Sequence, residues 1–219
     1  KYVEDHTVAG VVAVVGSSKG VAYLGAVGQQ TIEPATPMPK DALFRIASMT
    51  KPITAAGVLL LAEEGKLKVT DPVEKHLPEF QDQMLIAERG KGRLVLKKPS
   101  RPITLADLLT HTSGLPGGYP RGLGDFYAKR DRSLAEATLV VSQRPLEFEP
   151  GSRWAYCNAG MDTLGRVVEV VSGVPYEKFL GERVFAPLGR TDTPFYPTPE
   201  QRRRLAVTYD RTGAGPLPA

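Results

Sequence analysis

Leu43-Phe44-Arg45-Ile46-Ala47-Ser48-Met49-Thr50-Lys51-Pro52-Ile53-Thr54 is the stretch on which the reading of this chain turns. A helical pattern begins near Thr50 and runs to about Glu64, with apolar Ile53, Ala56, Leu60 and Leu61 recurring on a helical period. Pro52 suits the first turn, where a missing N–H is harmless, and Gly65 is a natural stop. Ser48 and Lys51 are nearly one helical turn apart, so their side chains share a face. A serine hydroxyl is a poor nucleophile until a neighbour takes its proton or stabilises its anion. The Lys51 ammonium and the positive end of the helix both lower the cost of an alkoxide. The backbone N–H of Ser48 is also available to an oxyanion hole. The same residues equally describe a serine that caps a helix, with an exposed lysine one turn on.

Working outward, Val8–Val15 and Val21–Val27 are β-branched runs around Gly16-Ser17-Ser18-Lys19-Gly20, which predicts a β-hairpin. Pro34, Pro37 and Pro39 mark a loop between that hairpin and the serine segment. Downstream, residues 81–101 are polar and basic and read as a loop or weak hairpin. Thr104 with Asp107 and Ser133 with Glu136 form two capping boxes, each opening a helix. A longer amphipathic helix is predicted over Asn158–Ser172, with Met161, Leu164, Val168 and Val171 inward and Gly173 as its stop. Pro175 opens another, burying Tyr176, Phe179, Leu180 and Val184, and Leu205–Tyr209 reads as a strand. Strands first, helices in the middle and a strand at the end give an α+β reading.

A second chemical element lies far along the chain. Tyr156-Cys157-Asn158 follows Pro150-Gly151-Ser152-Arg153-Trp154. Structurally, Tyr156 and Trp154 would pack the start of the next helix, with Asn158 as its N-cap. Chemically, Tyr156 would transfer a proton and the Asn158 amide would meet the substrate. A phenol is a poor base unless cations depress its pKa, and Lys51 could supply that field.

Taken together, these segments resemble the class C β-lactamases and their relatives, the family VIII carboxylesterases, D-aminopeptidases and DD-carboxypeptidases. The serine stretch resembles the nucleophile segment of that family. Glu64-Gly65-Lys66-Leu67 and Asp71-Pro72-Val73 continue the pattern. Leu108-Leu109-Thr110-His111-Thr112-Ser113-Gly114-Leu115-Pro116 is similar to its second loop. Tyr156-Cys157-Asn158-Ala159-Gly160 and Pro187-Leu188-Gly189 follow in the family's order. The resemblance implies Ser48 as acylated nucleophile, Lys51 as its electrostatic partner and proton acceptor, and Tyr156 as proton shuttle. It implies that Asn158 holds Lys51 and binds the acyl side of the substrate. Whether Lys51 or Tyr156 is the base stays open, because strongly coupled groups titrate as a pair. His111 matches a structural loop position, and Cys157 stands where a small residue is usual.

The implied fold is β-lactamase/transpeptidase-like: an antiparallel sheet with flanking helices plus a helical lobe. Residues 1–69 would hold the hairpin and nucleophile helix, 70–195 the helical lobe, and 196–219 the return to the sheet. The family's third element, a Lys/His-Thr-Gly triplet on a later strand, has no match after Asn158. The fold is therefore expected to be incomplete in this chain, with C-terminal strands from a further segment or another chain. Class C enzymes usually carry Gln after the Leu-Pro of the second loop. Here Gly117-Gly118-Tyr119 follows, which makes Tyr119 a candidate substrate contact and leans toward esters.

The expectation is a serine hydrolase acting through an acyl-enzyme, foremost a carboxylesterase on short acyl esters with weak β-lactam hydrolysis. A true β-lactamase, a D-amino-acid peptidase and a non-catalytic penicillin-recognising homologue are the alternatives. Composition excludes other classes. Of 219 residues 42% are hydrophobic, ample for a core, and no apolar run is long enough for a membrane span. The net charge of +4 comes from scattered basic residues, Arg202-Arg203-Arg204 being the only tight run, so nucleic acid is not an expected partner. Cys157 is the only cysteine, and His6, His76 and His111 show no zinc-like spacing, so neither metal nor other cofactor is expected. The expected partner is a small ester or amide substrate. No signal peptide is visible at the N-terminus, which favours a cytoplasmic over a periplasmic location.

Overall fold

The computed structural model describes residues 2–117 and 132–209. The chain divides into two compact units, one of residues 1–47 with 191–219 and one of residues 48–190.

In the first unit, β1 (Gly10–Ser17) and β2 (Gly20–Thr31) pair antiparallel, with Val14 opposite Leu24 and Gly10 opposite Gly28. The predicted five-residue turn tightens to Ser18-Lys19, and Gly20 takes φ +116°, a conformation that suits glycine. A two-residue β3 (Thr36–Pro37) adds to β2. The predicted strand at Leu205–Tyr209 is not formed. Leu205 makes a single bridge to Leu43, after a short helix, Pro199–Arg203. The side-chain amide of Gln30 donates to the carbonyls of Arg203 and Leu205, at 2.7 and 3.2 Å. Those carbonyls are thus satisfied by a side chain, and no ladder develops beyond the bridge.

The second unit is mainly helical. Its helices are Thr50–Glu63, Leu105–Leu109, Leu134–Ser142, Asn158–Ser172 and Tyr176–Leu180, with shorter turns between them. Both predicted capping boxes form, at Thr104/Asp107 and Ser133/Glu136. The region 81–101 holds a hairpin, β4 (Leu85–Gly90) with β5 (Arg93–Lys97), tied down by buried Leu85. Antiparallel strands open the chain and return once, as β4 and β5, within the mainly helical unit, a mixture in keeping with an α+β fold.

The buried stripe of Thr50–Glu63 is Thr54, Gly57, Val58 and Leu61, displaced from the predicted Ile53, Ala56, Leu60 and Leu61. Gly57 is the cause. A Cβ there would stand 3.0 Å from Leu180 Cδ2, so the bare backbone lets the helix lie against that leucine. Thr54 is buried because its hydroxyl bonds the Thr50 carbonyl and the Tyr176 hydroxyl, at 3.2 and 2.6 Å. Around this stripe Leu105, Leu108, Leu146, Leu164, Val168 and Leu180 are fully buried, each worth about 1.5–3 kcal/mol of transfer free energy. No helix among the described residues is long and apolar enough to cross a membrane.

Candidate active site

Ser48 lies in a single 3₁₀ turn, Ala47–Met49, immediately before the helix. Ala47 has φ +44°, a left-handed conformation unusual for alanine and of the kind found where backbone strain holds a functional group. The following helix carries no side-chain cap, so the Ser48 hydroxyl is not spent on capping. It is engaged elsewhere. Lys51 Nζ donates to Ser48 Oγ at 3.0 Å, and Ser48 Oγ lies 2.7 Å from the Tyr156 hydroxyl. The Lys51 ammonium also sits 4.7 Å from the centroid of the Tyr156 ring. The ammonium close to the phenol, and then the hydrogen bond with the Ser48 hydroxyl, hold the Tyr156 pKa below its ordinary value.

Ser48 and Tyr156 are 108 positions apart, and the loop after Leu105–Leu109 explains how the Tyr156 segment is held. Glu147 N–H donates to Gly114, Gly151 to Thr112, and Ala155 to His111, each at 2.8 Å. This stitching fixes residues 147–155 along residues 111–114. Its base is Asp107, which receives Arg101 through two bonds, at 2.6 and 2.9 Å, and also bonds Thr104 and Thr112. Burial alone would raise the Asp107 pKa, but these donors outweigh it and bring the value to about 2. The Arg101–Asp107 pair escaped sequence reasoning. Asp107 was legible only as half of a capping box.

Cys157, not Asn158, is the N-cap of the Asn158–Ser172 helix, its Sγ accepting the Gly160 N–H at 3.3 Å. The thiol has this place because it also donates to the Pro116 carbonyl at 3.6 Å and is almost entirely buried. Burial pushes its pKa up, which makes it a poor nucleophile. Asn158 is half-buried at the first helical position. No hydrogen bond joins its side chain to Ser48, Lys51 or Tyr156, so the expected grip on Lys51 is absent among the described residues. His111 makes no bond to Ser48. Its ring lies against Tyr156, with centroids 4.9 Å apart. Tyr119 lies outside the described residues. Ser48 and Tyr156 are both exposed, and Trp154 and Met49 stand open beside them.

A serine hydroxyl, an ammonium and a phenol of lowered pKa within hydrogen-bond reach form an arrangement suited to acyl transfer. Esterase EstB of Burkholderia gladioli is 36% identical over 215 residues, covering 94% of this chain and 51% of its own. The D-alanyl-D-alanine-carboxypeptidase/endopeptidase AmpH of Escherichia coli is 34% identical over 176 residues, 80% of this chain and 42% of its own. Among solved structures, EstCE1, a hydrolase with promiscuous acyltransferase activity, matches with TM-score 0.82 and 30% identity. That match covers 100% of this chain and 56% of EstCE1. The chain spans about half the length of the curated relatives it matches. The family model described as Beta-lactamase matches residues 1–219, and the chain belongs to that family.

Proposed function

We propose that this protein is a serine carboxylesterase that works through an acyl-enzyme on short, unhindered acyl esters, with slower β-lactam hydrolysis as a side activity. The observation that carries the reading is Ser48 Oγ held between Lys51 Nζ and the Tyr156 hydroxyl, at 3.0 and 2.7 Å. With Lys51 donating to Ser48 Oγ, the Ser48 hydroxyl hydrogen is free to turn to Tyr156, which in this reading accepts it as the phenolate. Ser48 Oγ then bonds the acyl carbon, and the carbonyl pair moves to oxygen. Collapse restores the carbonyl and expels the alkoxide, which takes the proton from Tyr156. Water repeats the cycle on the acyl-enzyme, giving its proton to Tyr156 and its oxygen to the acyl carbon, and Ser48 departs reprotonated.

Asn158 is assigned to the acyl side of the substrate, and Tyr119 is kept as a candidate substrate contact. One oxyanion donor is the Ser48 N–H. The second is assigned to a strand beyond these residues, a reading supported by the length of the relatives. The ester preference is supported by EstB and EstCE1 and by Gly117, rather than an amide side chain, after Leu115-Pro116. The match to AmpH makes a D-alanyl peptidase the second reading.

Side-by-side turnover of p-nitrophenyl butyrate, a chromogenic cephalosporin and a D-alanyl-D-alanine peptide tests this in the intact protein. The ester should be preferred by about tenfold or more in kcat/KM, about 1.4 kcal/mol of transition-state binding. Preference for the cephalosporin or the peptide would reassign the substrate. A penicillin adduct with no turnover of any substrate would mark a non-catalytic homologue.

A further inference from the structure

One residue holds the Tyr156 segment at two neighbouring points. His111 accepts the Ala155 N–H on its backbone carbonyl at 2.8 Å and the Cys157 N–H on ring Nδ1 at 3.2 Å. In an extended pairing, the N–H groups of alternate residues on one edge normally meet successive backbone acceptors of the partner. Here the partner chain turns at His111, whose φ is +59°, and the imidazole nitrogen takes the place of the next acceptor. The two bonds bracket Tyr156, whose ring leans on the imidazole at 32° and whose hydroxyl reaches Ser48. A shift of this segment would carry the phenol away from the serine.

We propose that His111 is a positioning residue for Tyr156: its carbonyl and its unprotonated Nδ1 together fix the phenol on Ser48. The inference rests on the reading of Ser48 and Tyr156 as reacting groups and assigns a role to a side chain that does not touch the serine. Nδ1 can accept only when it bears no proton, so the ring must be the neutral Nε2–H tautomer. Burial, and then the Lys51 ammonium, favour that neutral ring and hold the His111 pKa below its ordinary value. The titratable groups facing it are Lys51 from the nucleophile helix and the Tyr156 phenol from the clamped segment. Among the described residues no carboxylate bonds the ring, and Trp154 meets it edge-on at 6.1 Å. Protonation would set a ring N–H against the Cys157 N–H and open the clamp.

Two variants of the intact protein separate this role from simple packing. His111→Asn keeps an acceptor near the position of Nδ1, tolerates a left-handed backbone and does not titrate. His111→Phe keeps a ring and loses the acceptor. With p-nitrophenyl butyrate, His111→Phe should lose about tenfold or more in kcat with KM within about twofold, while His111→Asn stays within about threefold of wild type. If His111→Phe does not fold, a nitrogen spectrum of histidine-labelled wild type reads the tautomer directly. It should be Nε2–H at neutral pH, and loss of the neutral ring on acidification should track an acid limb of kcat that His111→Asn lacks. Wild-type kcat in His111→Phe, equal losses in both variants, an Nδ1–H tautomer or an unchanged acid limb in His111→Asn would each overturn the proposal. Tyr156→Phe is the control. Wild-type turnover there overturns the underlying reading of the site, whereas a crippled Tyr156→Phe beside an unaffected His111→Phe overturns the clamp alone.

Discussion

Val14 and Val21 in the β1–β2 hairpin are 62% and 67% exposed, while Leu164 and Leu180 in the helical unit are fully buried. A sheet with one covered face shows buried and exposed residues in alternation. The hairpin does not: Val14 and Val15, adjacent and on opposite faces, are both open, as are Tyr23 and Leu24. The helical unit carries its own core, and Ser48, Lys51, His111 and Tyr156 all belong to it. The difference teaches that the proposed site rests on the unit that holds the buried core. Toward its turn the hairpin has paired backbones and open side chains, and such a pair of strands has little stability of its own. The relatives this chain matches are about twice its length.

The largest expected effect lies in the helical unit. Ser48→Ala should reduce ester turnover by roughly a thousandfold or more, and intact mass should show a fluorophosphonate adduct on the wild type but none on the variant. An adduct that survives, or one that maps to Cys157, would move the site elsewhere. Next, Leu164→Ala should cost about 2–5 kcal/mol in a denaturant titration of the intact protein, since it empties a fully enclosed position. A cost near zero would break the contrast between the two regions.

A smaller effect belongs to Asp107. Its folded pKa, about 2, lies below the ordinary 3.8, so it stabilises the fold above the unfolded pKa. That contribution, about 2 kcal/mol, should be lost as pH falls from about 4 toward 2. Asp107→Asn should flatten the stability–pH curve in that window, and an unchanged curve would place the acid sensitivity in other carboxylates. The smallest effect concerns the hairpin. Val14→Lys should change the stability of residues 1–219 alone by no more than about 0.5 kcal/mol, while raising their soluble fraction. In the intact protein the same substitution should cost about 1–3 kcal/mol if further strands cover that face. Equal, negligible costs in both would show that the sheet stays bare.

Much of this was legible in the chain because it depends on short-range rules. Thr104 with Asp107 and Ser133 with Glu136 announce helix starts three residues ahead, and Gly173 takes the left-handed stop its position implies. Ser48 and Lys51 meet because one helical turn brings them together, which needs no tertiary information. The misreadings arose where a local rule competed with packing. Asn158 is the better cap by propensity, yet Cys157 takes the place because its thiol is enclosed beside Pro116. Leu205–Tyr209 has strand composition but forms only a bridge, since Gln30 claims the carbonyls that pairing would need.

The sequence by itself determined that a serine and a lysine would share a helix face, that helices would follow strands, and which family pattern the segments repeat. Only the tertiary structure decided that Tyr156 lies on Ser48, and that His111 holds the phenol's segment by carbonyl and ring together. The physical reason is range. Capping and helical spacing act within one turn of chain and leave a trace in residue order. The closure of 108 positions between Ser48 and Tyr156 is set by the stitching of residues 147–155 to 111–114 and by the core beneath it, and no local rule encodes either.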